Sequence, residues 1–305
     1  MLFRSYCREI NKGNAEGGGV MAKLASEQTT TNGRKVVGFG KPKGSGKTTF
    51  YTSAAVTKKP MLIMQFDLGS ITLPPGVNPN DVYIQDYPDD TVVNLAETSV
   101  KRKREVGDRV AKDLVAVLEG FKTGKDIIKF SDNTTVPRPN ALFFDGAVRL
   151  DEIIVDLICA INGIADPTDM PSKSGSLGGG TMKFYSDRLN RIRKLFTMII
   201  SLPIDVYMAT WEDAKHKKDT QGNILSSTYE PDLGGKLNIL GPGMFDSCLY
   251  HYNDAGRYMV RTKPTPEIGL LGVRGKYGLA SPIDVTIKDD DKSGLTPYQK
   301  VFGAE

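Results

Sequence analysis

The sequence predicts an α/β fold in which a mostly parallel sheet is flanked by helices. Three observations lead to this prediction. Short apolar segments alternate with longer segments of helical periodicity, a glycine-rich loop joins the first apolar segment to a helix start, and a later apolar segment ends in an acid. Such alternation favours parallel strands that are covered on both faces.

The first apolar segment and its loop form the stretch VVGFGKPKGSGKTTF, from Val36 to Phe50. A short strand, a glycine-rich turn and a helix start are the context of a phosphate-binding loop. The strict pattern G-x-x-x-x-G-K-[ST] would place a glycine at position 41, which is a lysine, and Gly40 lies one residue too early. Because the strand side of Gly44 can absorb a longer loop, we expect a working nucleotide site rather than a plain glycine-rich connection.

Six residues of this loop are predicted to bind the phosphates of ATP. The backbone N–H groups of such a turn, together with a helix N-terminus, favour polyphosphate. Lys47 is placed to reach the β- and γ-phosphates, and Thr48 to bind Mg²⁺. The predicted nucleotide-binding residues are Gly44, Ser45, Gly46, Lys47, Thr48 and Thr49.

The remaining elements follow from the spacing of apolar residues. Strands are predicted at Pro60–Asp67, Val82–Tyr87, Ala141–Gly146 and Ile204–Trp211, and helices at about Val93–Phe121, Asp151–Ile164 and Phe184–Leu202. A long mobile loop is expected over residues 163–182, and shorter strands with turns are expected in the C-terminal third.

Asp145 ends the third of these strands, ALFFDG. A carboxylate at this place can face the Mg²⁺ held by Thr48, usually through water. An acid at a strand end is common by itself. Its separation from the phosphate loop, which leaves room for two intervening strands, makes Asp145 the predicted Walker B acid.

Composition limits the class of protein. A chain of 305 residues with 39% hydrophobic and 25% charged residues is ordinary for a soluble globular protein. No segment is apolar for long enough to span a membrane, and the N-terminus lacks a secretory signal. Cys7, Cys159 and Cys248 are widely spaced, which favours a reducing compartment, the cytoplasm, and argues against zinc. The net charge of +4 is too small to establish a nucleic-acid partner.

The two ends of the sequence differ from its middle. Residues 1–33 have little periodicity and many turn-forming residues, which predicts a flexible leader before a domain over 34–285. Residues 16–19 would be encoded by purine-rich codons that resemble a bacterial ribosome-binding site, so we hypothesise that Met21 is the natural start. Residues 286–305 are expected to form a mobile tail.

Six segments carry a resemblance to a known family and together span about Lys35 to Tyr277: GKPKGSGKTTF, KPMLIMQFDLGSITLP, ALFFDG, SLPIDVYMATWE, GGKLNILGPGMFDSCLYHY and GRYMVRTKP. In their order and spacing the chain resembles the RecA-core P-loop ATPases of bacteriophages, the group that includes Sak-type single-strand-annealing and recombination proteins. The resemblance implies a RecA-like core, ATP and Mg²⁺ as ligands, and DNA-stimulated ATPase activity on single-stranded DNA. It also implies a homo-oligomeric ring or filament, with a single-strand-binding protein as a candidate partner in the host cytoplasm.

The resemblance also places candidate catalytic residues. Asp67 falls at the end of the second core strand, and RecA-like proteins commonly carry a glutamate two places later as base for the attacking water. This chain has Gly69 there. Either Asp67 orients the water itself or hydrolysis is slow.

A polar residue after the fourth core strand normally senses the γ-phosphate in this family. Thr210 and Glu212 are the candidates, and Glu212 joins Lys47, Asp67 and Asp145 as a predicted catalytic residue. Trp211 stands where similar proteins often have histidine. Its alternative role is packing.

The polar stretch after Trp211 is a candidate DNA contact. Lys215, Lys217 and Lys218 could neutralise phosphates while Tyr229 stacks on a base. The alternative is a solvated surface hairpin with TQGN as its turn. The glycine-rich stretch Ser172–Thr181 is a second candidate, whereas the basic run Lys101–Glu105 is expected to be the exposed face of its helix.

Two Arg-x-Lys pairs complete the candidate residues: Arg261 with Lys263, and Arg274 with Lys276. Residues i and i+2 of a strand share a face, so either pair could reach the γ-phosphate of a neighbouring subunit. Charge alternation on an edge strand is the alternative.

Other functions use the same loop. A small-molecule phosphotransferase would clamp its second substrate with Arg191 and Arg193 under a lid formed by residues 165–182. A nucleotide-gated annealing mediator would bind DNA without significant turnover. Helicase and packaging motors share the core chemistry.

Overall fold

The computed structural model describes residues 33–67, 69–87, 100–164, 166–170, 179–235, 237–274, 279–288 and 293–303. The predicted leader up to residue 32, the Met21 hypothesis, residues 172–178 of the glycine-rich stretch and Lys276 lie outside the described residues. No helix among the described residues is long and apolar enough to cross a membrane.

The fold is α/β, as the sequence predicts. The strands are β1 Lys35–Gly40, β2 Met61–Gln65, β3 Val82–Asp86, β4 Ile127–Lys129, β5 Thr135–Pro137, β6 Ala141–Asp145, β7 Asp205–Lys218, β8 Ile224–Pro231, β9 Ser247–Asp254, β10 Arg257–Arg261, β11 Gly272–Val273 and β12 Ile283–Asp284. The helices are α1 Lys47–Thr52, α2 Val100–Thr123, α3 Ala147–Asn162, α4 Gly179–Ile200, α5 Leu237–Leu240 and α6 Pro297–Phe302.

Ten strands form the main sheet, in the order β12-β10-β9-β1-β7-β6-β2-β3, with β8 paired to β7 and β11 to β9. The six strands from β9 to β3 are parallel, and β8, β10, β11 and β12 are antiparallel to their neighbours. β4 and β5 pair separately. Since parallel strands end at one edge, β1, β2 and β6 bring their C-terminal residues together there, where β7 passes at Ala209–Trp211.

The central strands are buried on both faces, which explains their nearly continuous apolar sequences. One face packs against α1, where Phe50 and Tyr51 contact side chains such as Phe143 and Tyr207. The other face packs against α2, α3 and α4 through a larger core. The phosphate helix and the three long helices therefore lie on opposite sides of the sheet.

Two predicted boundaries move. The fourth strand continues seven residues past Trp211, to Lys218, because it pairs with β8 in a hairpin beyond the sheet. Part of the segment predicted as a loop, 163–182, is regular: Pro167–Asp169 form a 3-10 helix, and α4 begins at Gly179.

The expectation of a mobile tail over 286–305 is wrong for Pro297–Phe302, which form α6. Tyr298, Val301 and Phe302 are buried, and the rings of Tyr298 and Phe302 lie 5.9 and 6.3 Å from that of Phe50. The backbone N–H of Tyr298 also donates to Ser53 Oγ at 3.0 Å. The apolar contact with α1 fixes this segment against the phosphate helix.

Candidate active site

The loop between β1 and α1 has the backbone shape that its glycines permit. Gly44 and Gly46 have φ values of 75° and 80°, a region that glycine occupies without strain. A Cβ at Gly46 would also lie 2.8 Å from Cδ1 of the Tyr258 ring. Two causes therefore exclude a side chain at position 46: the positive φ value and the contact with the Tyr258 ring.

Lys47 is folded back onto its own loop. Its ammonium group donates to the carbonyl oxygens of Lys41 at 2.6 Å and Gly40 at 3.3 Å, and to Ser45 Oγ at 2.9 Å. Burial lowers the pKa of Lys47 to about 8, and the nearby carboxylates of Asp145 and Asp67 oppose that effect. The side chain stays cationic at neutral pH, as a phosphate ligand requires.

Thr48 and Asp145 meet at the carboxyl edge of the sheet. Thr48 Oγ1 lies 3.1 Å from Asp145 Oδ2 and 3.2 Å from Oδ1, so the hydroxyl donates to the carboxylate. Burial raises the pKa of Asp145 to about 6, with a further contribution from the charge of Asp67. A hydroxyl and a carboxylate side by side are oxygen donors of the kind that Mg²⁺ takes, and the two residues fit that ion.

A cleft of about 600 Å³ opens beside this pair, within the range of small-molecule sites. We name it the phosphate cleft. Its lining residues include Lys43, Thr48, Thr49, Gln65, Asp67, Asp145, Arg149, Glu152 and Trp211. The cleft thus joins the loop, the Walker B acid and the end of β2.

Asp67 lies at the centre of this group. Burial raises its pKa, and the neighbouring indole of Trp211 and the charge of Lys47 oppose that rise. A Cβ at Gly146 would lie 2.5 Å from Asp67 Oδ1, so glycine after Asp145 leaves room for the second carboxylate. Trp211 lines the same cleft and lowers the pKa of Asp67.

Sequence reasoning missed two residues of the phosphate cleft. Arg149 and Glu152 lie on α3 just after Asp145, and Arg149 Nη1 contacts Glu152 Oε2 at 2.5 Å. Only their position in the sequence could have indicated this. Residues in the first turns of a helix that follows a Walker B strand lie close to the end of that strand.

Thr210 and Glu212 are not where the sequence interpretation placed them. Side chains alternate along β7, and Trp211 takes the face of the phosphate cleft. Thr210 is buried with its hydroxyl donating to the Asp232 carbonyl oxygen, and Glu212 accepts a bond of 2.9 Å from Tyr250 Oη. The charge of Glu212 still raises the pKa of Lys47, from the other side of the loop.

A second cleft, of about 420 Å³, lies on that other side. We name it the tyrosine cleft. It is lined by Tyr229, Tyr250, Tyr252, Arg261, Thr265, Glu212 and Glu267 together with Lys41, Lys43, Gly44 and Ser45 of the phosphate loop. Lys43 lines both clefts, so the extra loop residue noted in the sequence belongs to the wall between them.

The polar stretch after Trp211 is a β-hairpin. Its pairing places two predicted DNA contacts, Tyr229 and Lys215, on opposite faces. Tyr229 pairs with Ala214 and shares its face with Glu212, whereas Lys215 pairs with Thr228 on the opposite face. Lys215 also forms an ion pair with Glu230. Lys215 and Tyr229 therefore cannot contact one nucleotide together. Lys217 and Lys218 are exposed near the hairpin turn.

Neither Arg-x-Lys pair lies on one strand, so the premise of a shared face is wrong. Arg261 is the last residue of β10, with its guanidinium 5.2 Å from the Tyr252 ring, and Lys263 follows the strand. Arg274 follows β11 and bonds Asp246, before the start of β9, at the edge opposite the phosphate loop. A role in a neighbouring subunit stays a prediction.

The fold and the site define a P-loop nucleoside triphosphatase. The family model of an AAA domain matches residues 32–269, and the chain belongs to that family. AAA domains are ATPases that in general bind ATP with Mg²⁺. No curated protein matches the chain.

Proposed function

We propose that this protein is a Mg²⁺-dependent ATPase that acts on single-stranded DNA in phage recombination or replication, as a homo-oligomer in the host cytoplasm. The observation that carries the ATPase assignment is the contact between Thr48 and Asp145, next to Lys47 on a glycine loop. The tyrosine cleft, which shares a wall with the phosphate cleft, favours a nucleic-acid substrate over a small molecule.

Each residue has a distinct task in this proposal. The loop N–H groups and Lys47 hold the phosphates, and Lys47 exchanges its bonds to the loop carbonyls for bonds to phosphate oxygens. Thr48 and Asp145 would hold Mg²⁺, which when bound would neutralise charge that develops on the phosphates. Asp67, which lines the phosphate cleft beside Trp211, accepts a proton from the attacking water. This route supplies a base although residue 69 is glycine.

The other functions that use this loop can be distinguished from the proposed one. The phosphotransferase predicted from the sequence would clamp its second substrate with Arg191 and Arg193. Neither lines the described part of the phosphate cleft, and Arg191 instead lines an apolar cavity between helices. An annealing mediator would have the same nucleotide site without turnover. Helicase and packaging motors would hydrolyse ATP and move along DNA.

The test is ATP hydrolysis with and without single-stranded DNA. Lys47→Ala removes the phosphate contact, and Lys194→Ala, on the exposed face of α4, is the matched control. We expect DNA-stimulated hydrolysis that Lys47→Ala abolishes and Lys194→Ala keeps. Hydrolysis that ignores DNA would favour the phosphotransferase. Nucleotide-dependent DNA binding without hydrolysis would favour the mediator.

A further inference from the structure

Three tyrosines form a row of rings along one wall of the tyrosine cleft. The ring centroids of Tyr229 and Tyr250 are 6.2 Å apart, those of Tyr250 and Tyr252 are 5.8 Å apart, and the Arg261 guanidinium continues the row 5.2 Å from Tyr252. Tyr229 and Tyr252 are half-buried. Their rings therefore keep exposed surface on which a flat ligand could stack.

The charge around the row suits a phosphate-bearing ligand. Lys41 and Lys43 are exposed, and no ion pair joins either of them to another described residue. Two carboxylates also line the cleft, but Glu212 is held by the Tyr250 hydroxyl. Glu267 is the other, and its backbone carbonyl accepts from the Tyr229 N–H at 2.8 Å. With Arg261, three cations oppose two acids.

One buried polar atom in this cleft lacks a partner. Thr265 Oγ1 is inaccessible to solvent and has no hydrogen-bond partner among the described residues, although the backbone of Thr265 is bonded to Ile268. Buried hydroxyls in native proteins are nearly always satisfied. Because solvent does not reach this hydroxyl, the polar edge of a ligand would satisfy it only after the Thr265 side chain rotates towards the cleft.

We infer that the tyrosine cleft binds unpaired nucleotides of single-stranded DNA, with bases on Tyr229 and Tyr252 and phosphates on Lys41, Lys43 and Arg261. Stacking on aromatic rings beside a basic groove is how proteins hold single strands without reading sequence. Bases in a duplex are about 3.4 Å apart along each strand, closer than these rings, so the row fits an extended strand. This inference rests on the proposed function for the choice of DNA as ligand.

The base of a nucleotide bound at the phosphate loop could also stack on these tyrosines, but the geometry disfavours this alternative. Tyr250 and its neighbour Phe39 belong to the core on the face of α2–α4, whereas α1 begins on the opposite face, where the Tyr258 ring lies against Gly46. A nucleotide whose phosphates follow the N-terminus of α1 lies next to Tyr258, away from the tyrosine cleft.

DNA bound in the tyrosine cleft could also affect the phosphate loop, because Lys41 belongs to both. Lys41 lines the tyrosine cleft, and its carbonyl oxygen accepts the 2.6 Å bond that holds Lys47 back. A strand phosphate that draws Lys41 outward moves that carbonyl as well. Release of Lys47 towards ATP would then accompany DNA binding.

The test measures the binding of fluorescein-labelled oligothymidine by fluorescence anisotropy, without nucleotide and at one fixed salt concentration. Tyr252→Leu removes a stacking ring, Tyr252→Phe keeps it, and Lys194→Ala, on the exposed face of α4, is the control. We expect Tyr252→Leu to weaken binding at least about tenfold, and Tyr252→Phe to bind within about threefold of the unmodified protein. In a separate series over several salt concentrations, Arg261→Gln should lower the salt slope by about one.

Other results would overturn the inference, and they do so in different ways. Equal binding by Tyr252→Leu and the unmodified protein would exclude the tyrosine cleft and leave the proposed function intact. No binding of oligothymidine by the unmodified protein, either without nucleotide or with saturating ATP, would exclude both the site and the DNA part of the proposed function. Loss of affinity for fluorescent ADP in Tyr252→Leu, with DNA binding kept, would assign the cleft to the base of the bound nucleotide.

Discussion

Thr48 Oγ1 lies 3.1 Å from the nearer carboxylate oxygen of Asp145, across a separation of 97 residues in sequence. One residue comes from the start of the phosphate helix and the other from the end of β6, and β7 lies between β1 and β6 in the sheet. The contact depends on the strand order, because both strands end at the same edge. It fixes the place of a metal ion more narrowly than either residue alone.

Asp145→Asn should lower ATP turnover by about 100- to 1000-fold, because a neutral amide cannot replace a carboxylate beside Mg²⁺. Phosphate release at saturating ATP measures this loss. Thr48→Ala should cost less, and the double variant should lose little more than Asp145→Asn, since both side chains serve one ion. Fully additive losses would mean that the two residues act independently.

Asp67→Asn should lower kcat by about 100-fold or more and keep nucleotide affinity, because it removes the proton acceptor but not a phosphate contact. Glu152→Gln is the matched control: its carboxylate lines the same cleft, but it contacts Arg149. Single-turnover hydrolysis and binding of fluorescent ADP separate the two effects. A large loss in Glu152→Gln with none in Asp67→Asn would assign the base to Glu152.

His251 should make the protein less stable in acid. Burial, with a smaller effect of the charge of Lys47, lowers the pKa of His251 from 6.5 to about 3. The unfolded chain therefore binds one more proton than the folded chain between these values, and this group costs about 1.4 kcal/mol of unfolding free energy for each pH unit lost. The effect is absent above the unfolded pKa.

Urea titrations at pH 7 and pH 5 measure the effect of His251. The difference in unfolding free energy between these pH values should shrink in His251→Gln, whatever that variant loses at neutral pH. His216 is exposed on the hairpin, so His216→Gln is the control and should behave like the unmodified protein. An unchanged pH dependence in His251→Gln would contradict the argument.

Phe302→Ala should destabilise the fold by about 3–5 kcal/mol, the usual cost of emptying a buried aromatic site. Phe302 is 1% exposed and contacts Phe50 and Tyr298, and the guanidinium of Arg34 lies over its ring. Leu295 is 39% exposed in the same segment, and Leu295→Ala should change stability by less than about 0.5 kcal/mol. Similar small losses in both variants would mean that α6 is not docked in solution.

Features that are contiguous in sequence were predictable. The phosphate loop carries its whole pattern within a few residues, and Asp145 and Asp67 each end an apolar strand. The capping residues around α6 also predict this helix, although the sequence interpretation overlooked them. Thr296 and Gln299 form a capping box around Pro297, and Gly303 follows the helix.

Features that depend on strand order were not predictable. Tyr229 and Tyr252 line one cleft because β8 extends from β7 while β9 lies on the other side of β1. Which of Thr210, Trp211 and Glu212 faces the phosphate cleft depends on the alternation of β7, and that phase is set by its pairing with β1 and β6. No local pattern encodes either fact.

The docking of α6 against α1 also has a consequence for synthesis. Phe50 and Tyr51 leave the ribosome early, but Tyr298 and Phe302, which cover their side of the phosphate helix, are made some 250 residues later. Domains generally fold as units during synthesis. The side of the phosphate helix that carries Phe50 therefore stays uncovered until residue 302 emerges, so the packing of this helix is completed only after α6 is made.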